Sequence, residues 1–466
     1  MELLIPLDSR SKKPLYEQIY SHICAEIRGG ALKAGDRLPS TRVLAEHLKV
    51  SRSTTQMAYD QLLAEGYMES RPCRGYFVSH LDELVETGPS GAEEMETTAE
   101  PDAGWRVDFS PRGIDLDSFP YHVWRKLSRN TLVDDNKEMF HSGNHQGEPG
   151  LREAIRSYLH SARGVNCSPE QIIVGAGSEY LLMLLSQILE GKHVIAMENP
   201  TYKQAYRVFR SLDYEVCPVE MDANGMEPEL LTRSGANVAY VMPSHQFPTG
   251  VVMPVGRRQE LLKWAVEAPD RYIIEDDYDS EFRYRGKPIP ALQGMDRSGR
   301  VIYLGTFSKC IAPAIRVSYL VLPTHLLLRY RSQTSFYAST VSRIDQNILY
   351  QFLAGGYFER HLNRMRAVYK TKHDLLLEQI EPLRERFEIR GEHAGIHILL
   401  TSRQGESEEQ LIQKAEEAGV KVYGLSSYFI HPQHNHRPAT VVLGYASLSE
   451  EQIAEGIRLL MECWGA

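Results

Sequence analysis

The chain has 466 residues, of which 42% are hydrophobic and 24% are charged, and its formal net charge is −9. This composition is typical of a globular protein with more than one domain. No apolar run approaches the roughly 18 residues that span a bilayer, and the first residues lack the basic-then-apolar order of a signal peptide. We therefore expect a cytoplasmic protein without a membrane span.

Cysteine and histidine spacing argues against disulfides and metal sites. The six cysteines are scattered without a CxxC pair, so neither a disulfide framework nor a zinc site is indicated. The segment FIHPQHNH contains three histidines, but no carboxylate or cysteine completes a tetrahedral set. We assign His431, His434 and His436 to a solvated loop.

Charge is unevenly distributed along the chain. Residues 1–78 carry a net charge of +2, whereas residues 80–104 contain eight acidic residues and no basic one. The acidic segment is also rich in small residues and proline, which predicts an extended, flexible linker. A mildly basic N-terminal part is compatible with nucleic acid binding at that end only. We therefore predict an N-terminal domain over 1–79, a linker over 80–104 and a large domain over 105–466.

The N-terminal domain is predicted to contain three helices and a β-hairpin. Apolar residues at helical spacing indicate a first helix over 14–29, Ser40 is suited to cap a second, and a third begins at Ser51 and ends near Gly66. The following segment YMESRPCRGYFVSH predicts two short strands around a turn with Gly75 at its tip. This order of elements is that of a winged helix-turn-helix.

Polar and basic side chains cluster at the start of the third helix and on the wing. Arg52, Ser53, Thr54 and Thr55 open the helix as donors suited to base edges and phosphates. The alternative is a small helical cap whose arginines are only solvated. The residues predicted to contact DNA are Arg42, Arg52, Ser53, Thr54, Gln56, Arg74 and Gly75.

The stretch GDRLPSTRVLAEHLKVSRSTTQMAYDQLLAEGYMESRPCRGYFV resembles the DNA-binding domain of GntR-family bacterial regulators almost position by position. The resemblance covers residues 12–79 and implies that operator DNA is the partner of this domain. One departure is Pro72-Cys73-Arg74, where the wing of the family more often has small residues.

The large domain repeatedly places a polar or glycine-rich turn after a strand. The segment QIIVGAGSEYLLMLLSQIL predicts a strand, a turn over 175–178 and a buried helix, a unit whose helix N-terminus receives phosphate. Further strands lead to Tyr202, to the turn HQFPTG and to the acidic stretch 275–278. Such turns often only tighten packing, and acidic strand ends are often solvated or bind a hard metal. In a doubly wound α/β sheet they all lie at the ligand-binding edge.

The stretch VIYLGTFSKCIAPAIRVSYLVLP, residues 301–323, places a lysine between two strands. Both flanks are apolar and rich in β-branched residues, and the loop between them contains Lys309 and Arg316. A lysine beside buried strands is costly to desolvate unless it is neutralised or covalently bonded. An imine with an aldehyde cofactor achieves the latter, and hydroxyls with an arginine suit the phosphate of that cofactor. The alternative is an exposed loop lysine that binds nothing.

Together, the glycine turn, HQFPTG, EDDY and the SK motif resemble fold-type I pyridoxal-phosphate enzymes of the aspartate aminotransferase family, from residue 105 to the end. The resemblance implies an α/β domain with a small C-terminal α+β subdomain and pyridoxal 5′-phosphate as cofactor. Lys309 would be the Schiff-base lysine, Asp276 would pair with the pyridinium nitrogen, and Tyr278 would form a hydrogen bond with the ring hydroxyl. Tyr202 would stack on the ring. The phosphate would be held by Gly177, Ser178, Thr306, Ser308 and Arg316.

The choice of Asp276 over Asp277 follows the motif, and it agrees with the alternation of strand residues between opposite faces. Phe247 stands where catalytic aminotransferases usually have Asn, which removes one donor to the cofactor and puts turnover in question. The sequence leaves open a working aminotransferase with an accessory DNA-binding tail.

A GntR-type head, an acidic linker and an aminotransferase-like body in one chain resemble the MocR subfamily of transcriptional regulators, of which HQFPTG and IIEDDYDSEF are characteristic. The resemblance implies a small-molecule effector sensed at the Lys309 site. It also implies a homodimer whose two heads meet two half-sites on DNA.

The identity of the effector is predicted from an absent arginine. Amino-acid-handling members of this fold usually fix the substrate carboxylate with an arginine on a late strand, here residues 439–448, which contain none. Arg437, just before this strand, and the more distant Arg207 are the alternative arginines for binding such a carboxylate. We therefore expect pyridoxal phosphate itself to be the effector, which would make the chain a regulator of vitamin B6 synthesis. The alternative is a sensor of an amino compound.

Overall fold

The computed structural model describes residues 3–8, 11, 13–80, 104–132, 137–284, 289–431 and 438–465. The chain divides into two compact units, Met1–Glu100 and Pro101–Ala466. None of the described helices is both long and apolar enough to cross a membrane. Most of the predicted linker, residues 81–103, lies outside the described residues, as do His434, His436 and Arg437.

The N-terminal unit contains three helices and a small sheet. The helices are α1 (Leu15–Arg28), α2 (Thr41–Leu48) and α3 (Arg52–Ala64), and the strands are β1 (Arg37–Leu38), β2 (Met68–Arg71) and β3 (Gly75–Val78). Buried apolar residues of α1 and α3, among them Ile19, Ile23 and Leu62, form its core. The side chain of Ser40 caps α2 by accepting a backbone N–H group, as the sequence predicts, and Ser51 caps α3 in the same way.

The hairpin differs from its prediction in two details. Gly75 is the first residue of β3 and not the tip of the turn, which is formed by residues 72–74 with Cys73 at a positive φ of 59°. In addition, β1 pairs antiparallel with β3 and turns the hairpin into a three-stranded sheet. A two-residue strand has no periodicity, so its pairing is decided only by the tertiary fold.

The C-terminal unit alternates helices and strands. Its helices are α4 (Tyr121–Thr131), α5 (Pro149–Arg163), α6 (Ser178–Ile188), α7 (Lys203–Ser211), α8 (Pro228–Arg233), α9 (Val255–Val266), α10 (Thr324–Gln333), α11 (Arg343–Ala354), α12 (Tyr357–Gln379), α13 (Glu408–Glu417) and α14 (Glu450–Trp464). Its strands are β4 (Val107–Asp108), β5 (Ile172–Gly175), β6 (Val194–Asn199), β7 (Glu215–Asp222), β8 (Gly225–Met226), β9 (Val238–Val241), β10 (Tyr272–Asp277), β11 (Val301–Thr306), β12 (Ser318–Val321), β13 (Phe387–Arg390), β14 (His397–Ser402), β15 (Val420–Lys421), β16 (Tyr423–Gly424) and β17 (Thr440–Gly444).

The large sheet has the strand order β5-β12-β11-β10-β9-β6-β7-β8. Its central strands run parallel, whereas β12 is antiparallel to both of its neighbours and β8 is antiparallel to β7. Ile302 and Leu304 face one apolar cluster and Tyr303 faces another, so both faces of the sheet are covered. This double burial explains why the strands are continuous apolar runs in the sequence.

A smaller antiparallel sheet, β13-β14-β17-β16, forms the C-terminal part of this unit. The short strand β4 pairs in parallel with β15, which ties the segment 107–108 to that part. The backbone N–H of Gly444 in β17 also donates to Phe109 O. Pro111 and Arg112, which follow Phe109, lie beside Lys309 of the loop between β11 and β12.

Candidate functional site

One cleft at the carboxyl edge of the large sheet gathers the residues that the sequence singled out. It has about 840 Å³ of empty space, part of it open to solvent. Parallel strands end at the same edge, so residues far apart in the chain converge there. All nine residues predicted to hold the cofactor line the cleft: Tyr202, Gly177, Ser178, Asp276, Tyr278, Thr306, Ser308, Lys309 and Arg316.

Lys309 lies in the loop between β11 and β12, and its amine faces the cleft. Its Nζ donates to the carbonyl oxygen of Arg112 at 2.7 Å and lies 3.5 Å from that of Pro111. Burial of the amine lowers the pKa of Lys309 to about 8. The amine is therefore unprotonated, and nucleophilic, at a lower pH than an ordinary lysine.

Asp276 and Asp277 point to opposite faces of β10, as alternation along a strand requires. Asp276 lines the cleft and accepts a hydrogen bond from Tyr240 Oη, and burial raises its pKa to about 7. Asp277 points away and accepts from Arg163 Nε at 2.8 Å and from Tyr303 Oη at 2.5 Å. Asp277 is therefore a buried structural ion-pair partner, and only Asp276 is available to a ligand.

The hydroxyl of Tyr278 belongs to a small buried network. Nδ1 of His245 lies 3.1 Å from Tyr278 Oη and 2.8 Å from Asp279 Oδ2. Burial raises the pKa of Tyr278 well above its ordinary value, so the phenol stays protonated and can donate to a ligand. The sequence analysis did not predict this role for His245, since no short-range pattern links it to Tyr278.

The phosphate end of the cleft is built from the start of α6 and the Lys309 loop. Gly177 has a φ of 97° and precedes the first turn of α6, whose backbone N–H groups are unpaired within the helix. The positive φ favours glycine at this position, and a Cβ there would also lie only 2.3 Å from Nη2 of Arg316, which would have to move. Thr306 accepts from Ser308 N at 3.2 Å and from Ser318 Oγ at 2.8 Å. Hydroxyls, an arginine and a helix N-terminus are the donor set that a phosphate needs.

Aromatic side chains close the cleft beside Tyr202. Phe247 is buried and packs edge-on against Tyr202, Tyr278 and Tyr428, with ring centroids 6.1, 6.0 and 5.2 Å apart. Phe247 therefore presents an apolar surface where an amide would present donors. The amine of Lys309, the carboxylate acceptor of Asp276 and the donors of the phosphate-type cradle together fit the chemical groups of pyridoxal phosphate.

Five further cleft residues were missed by the sequence analysis: Pro111, Arg112, Glu179, Met242 and Pro313. Arg112 matters most, because the expectation that the effector is pyridoxal phosphate assumed that no arginine besides the phosphate-binding Arg316 lies near the site to bind a carboxylate. Arg112 lies about 200 residues from Lys309 in sequence, so only the fold could bring it there. Arg207 is exposed on α7 and does not line the cleft.

The predicted DNA-contacting residues lie on the surface of the N-terminal unit. Arg42, Arg52, Ser53 and Arg74 are exposed, whereas Thr54, Gln56 and Gly75 are partly buried. Thr55 is buried and donates to Thr41 O at 2.9 Å, so its expected place among the DNA donors is wrong. Its hydroxyl holds α3 against α2 instead.

Two family models match the chain. The family described as aminotransferase class I and II matches residues 115–460, and the family of bacterial regulatory proteins, gntR family, matches residues 15–78. The multiple substrate aminotransferase from Thermococcus profundus is a similar solved structure, with a TM-score of 0.68 at 28% identity over 77% of this chain and 90% of that chain.

Two relatives resemble the chain over nearly its whole length. The probable rhizopine catabolism regulatory protein MocR of Rhizobium meliloti is 35% identical, covering 98% of this chain and 95% of the relative. The HTH-type pyridoxine biosynthesis transcriptional regulator PdxR of Corynebacterium glutamicum is 32% identical, covering 92% of each chain. The predicted fold class is thereby confirmed. The chain belongs to the MocR subfamily of GntR-family transcriptional regulators, which join a helix-turn-helix domain to a fold-type I aminotransferase-like domain.

Proposed function

We propose that this cytoplasmic regulator binds operator DNA through residues 1–79 and binds pyridoxal phosphate through residues 105–466, with residues 80–104 as the linker. The observation that supports cofactor binding is that one cleft is lined by Lys309, Asp276, Tyr278 and Arg316. Members of the aminotransferase class I and II family normally bind pyridoxal phosphate, and this supports the proposal.

Each cleft residue has a role in this proposal. Lys309 attaches the cofactor covalently, and Asp276 holds the ring nitrogen, whose positive charge favours the ionised carboxylate. Tyr278 donates to the ring hydroxyl and Tyr202 packs on the ring. When bound, the cofactor would supply an electrophilic carbon for reaction with amines. The phosphate is held by Gly177, Ser178, Thr306, Ser308 and Arg316.

The attachment is tested by absorbance of the purified chain after incubation with pyridoxal phosphate and removal of the unbound cofactor, which itself absorbs in this range. We expect a near-ultraviolet to visible band that Lys309→Ala abolishes and that Lys370→Ala retains, because Lys370 lies on the surface of α12 and pairs with Asp374. A wild-type chain that is colourless after this treatment contradicts the proposal.

We propose pyridoxal phosphate as the effector as well, which makes the chain a regulator of vitamin B6 synthesis. The strand β17 offers no arginine, and the relative PdxR is a regulator of pyridoxine biosynthesis, which supports this role. The cofactor must bind one conformation of the body more tightly than another to change DNA binding. Operator binding should therefore change when cofactor is added to the cofactor-free chain, in the absence of amino acids.

Arg112 favours a second candidate, a small amino compound that carries a carboxylate. Arg112 lines the cleft that contains the Lys309 amine, and an arginine fork matches a carboxylate bidentately. In this case operator binding changes only when an amino acid joins the cofactor, and Arg112→Gln weakens that response. A response to cofactor alone that Arg112→Gln leaves intact selects pyridoxal phosphate as the effector.

Catalytic turnover distinguishes both of these sensor functions from that of a working aminotransferase. Phe247 presents no donor to the cleft, so we propose at most residual transamination. The measurement is formation of keto product from candidate amines. Sustained product formation over many turnovers supports the enzyme, whereas a single spectral change without product supports a sensor.

A further inference from the structure

Arg316, which our proposed function assigns to the phosphate, has a carboxylate as its present partner. Its Nη2 donates to Oε2 of Glu179 at 2.9 Å and lies 3.5 Å from Ala176 O. Glu179 lies in the first turn of α6, directly after Ser178. The salt bridge therefore spans the two elements that form the phosphate end of the cleft.

The charged groups of Arg316 and Glu179 both lie next to Gly177. A Cβ built on Gly177 would lie 2.3 Å from Arg316 Nη2 and 3.0 Å from Glu179 Oε2. Glu179 also lines the cleft, so its negative charge faces the space that a ligand would enter. The side chains of Arg316 and Glu179 are 55% and 31% exposed, which leaves both free to change partners.

A phosphate monoester and a carboxylate are competing anions for the same guanidinium. The phosphate carries about −1.5 to −2 charges at neutral pH, and a like charge nearby disfavours it. A phosphate that binds through Nη2 of Arg316 must therefore displace Glu179, and the Glu179 charge then stays beside the phosphate. A neutral glutamine at this position would remove the repulsion and keep an oxygen for Arg316.

We propose that Glu179 is an internal competitor for Arg316 that selectively weakens binding of the cofactor phosphate. This inference rests on the proposed function and extends it, because a weakened phosphate end keeps pyridoxal phosphate exchangeable. An exchangeable cofactor is what a sensor of cofactor concentration requires, whereas a resident enzyme cofactor is held permanently.

The test compares two ligands that differ only in the phosphate. Dissociation constants of pyridoxal phosphate and of pyridoxal are measured by absorbance titration for the wild type, Glu179→Gln and the control Glu153→Gln, whose partner Arg156 is 2.7 Å away on α5. We expect Glu179→Gln to bind pyridoxal phosphate about tenfold more tightly, which corresponds to about 1.4 kcal/mol, and pyridoxal with less than about twofold change. The control should match the wild type for both ligands.

A second comparison assigns the effect to Arg316. In an Arg316→Gln background, Glu179→Gln should gain much less than in the wild-type background, because the competition needs the guanidinium. Equal tightening of both ligands, no tightening, or weaker binding of pyridoxal phosphate by Glu179→Gln overturns the inference. A wild-type band that depends on Lys309 but not on Glu179 overturns only this inference, whereas absence of the band in wild type and Glu179→Gln overturns the proposed function as well.

Discussion

At the scale of single residues, the desolvated amine of Lys309 predicts how the rate of cofactor attachment depends on pH. Burial lowers the pKa of Lys309 to about 8, so the unprotonated fraction rises as the pH passes through that value. We expect the rate at which the cofactor-free chain acquires the absorbance band to rise from pH 7 and to level off above about pH 9. Stopped-flow absorbance measures this profile, with Lys309→Ala as the background. A rate that still climbs steeply at pH 10 contradicts the lowered pKa.

The buried pair of Arg163 and Asp277 makes a stability prediction. Both side chains are 2% exposed, and Tyr303 donates to the same carboxylate. Arg163→Met leaves a buried carboxylate without its partner, which should lower the free energy of unfolding by about 3–5 kcal/mol. Urea denaturation followed by circular dichroism measures the loss. The double variant Arg163→Met, Asp277→Leu should recover part of it, and the exposed control Arg233→Ala should unfold like the wild type.

At the scale of elements, the N-terminus of α3 gathers its hydroxyls around Ser51. Ser51 Oγ lies 2.7 Å from Ser53 Oγ and 2.8 Å from Thr54 Oγ1, and it also caps the helix. This leaves the exposed Arg52 next to a polar helix end that is suited to phosphate and base edges. The helix end, and not any single residue, is the element that we propose to face DNA.

We expect Arg52→Ala to weaken operator binding by about 1–3 kcal/mol and to reduce its salt dependence. Fluorescence anisotropy at several salt concentrations measures both quantities. Lys13→Ala is a suitable control, because Lys13 pairs with Glu17 at the start of α1. Unchanged affinity in Arg52→Ala, or operator binding by a fragment of residues 105–466, contradicts the assignment of DNA contacts to this element.

At the scale of the whole molecule, we propose that the aminotransferase-like body dimerises and carries two linked heads. Two heads that engage DNA together gain effective concentration, so an operator with two half-sites should bind at least about 100-fold more tightly than one with a scrambled half-site. Gel-shift titration measures the ratio, and sedimentation measures the oligomeric state. A monomer that binds both DNAs equally contradicts the proposal.

The sequence by itself determined the order of elements and the residue types at the strand ends. Local patterns sufficed for this, because helix caps such as Ser40 and apolar strands such as β11 depend on nearby residues. The motif around Lys309 and the resemblance to a known family predicted nine of the residues that line the cleft. Alternation along β10 even separated Asp276 from Asp277.

Only the tertiary structure decided which distant groups meet in the cleft. Arg112 comes near Lys309, His245 near Tyr278 and Glu179 onto Arg316 through pairings of strands and loops that no local pattern encodes. The pKa of Lys309 likewise depends on burial by several elements at once. The physical reason is that charge interactions and desolvation act through space, whereas sequence patterns report only on neighbours along the chain.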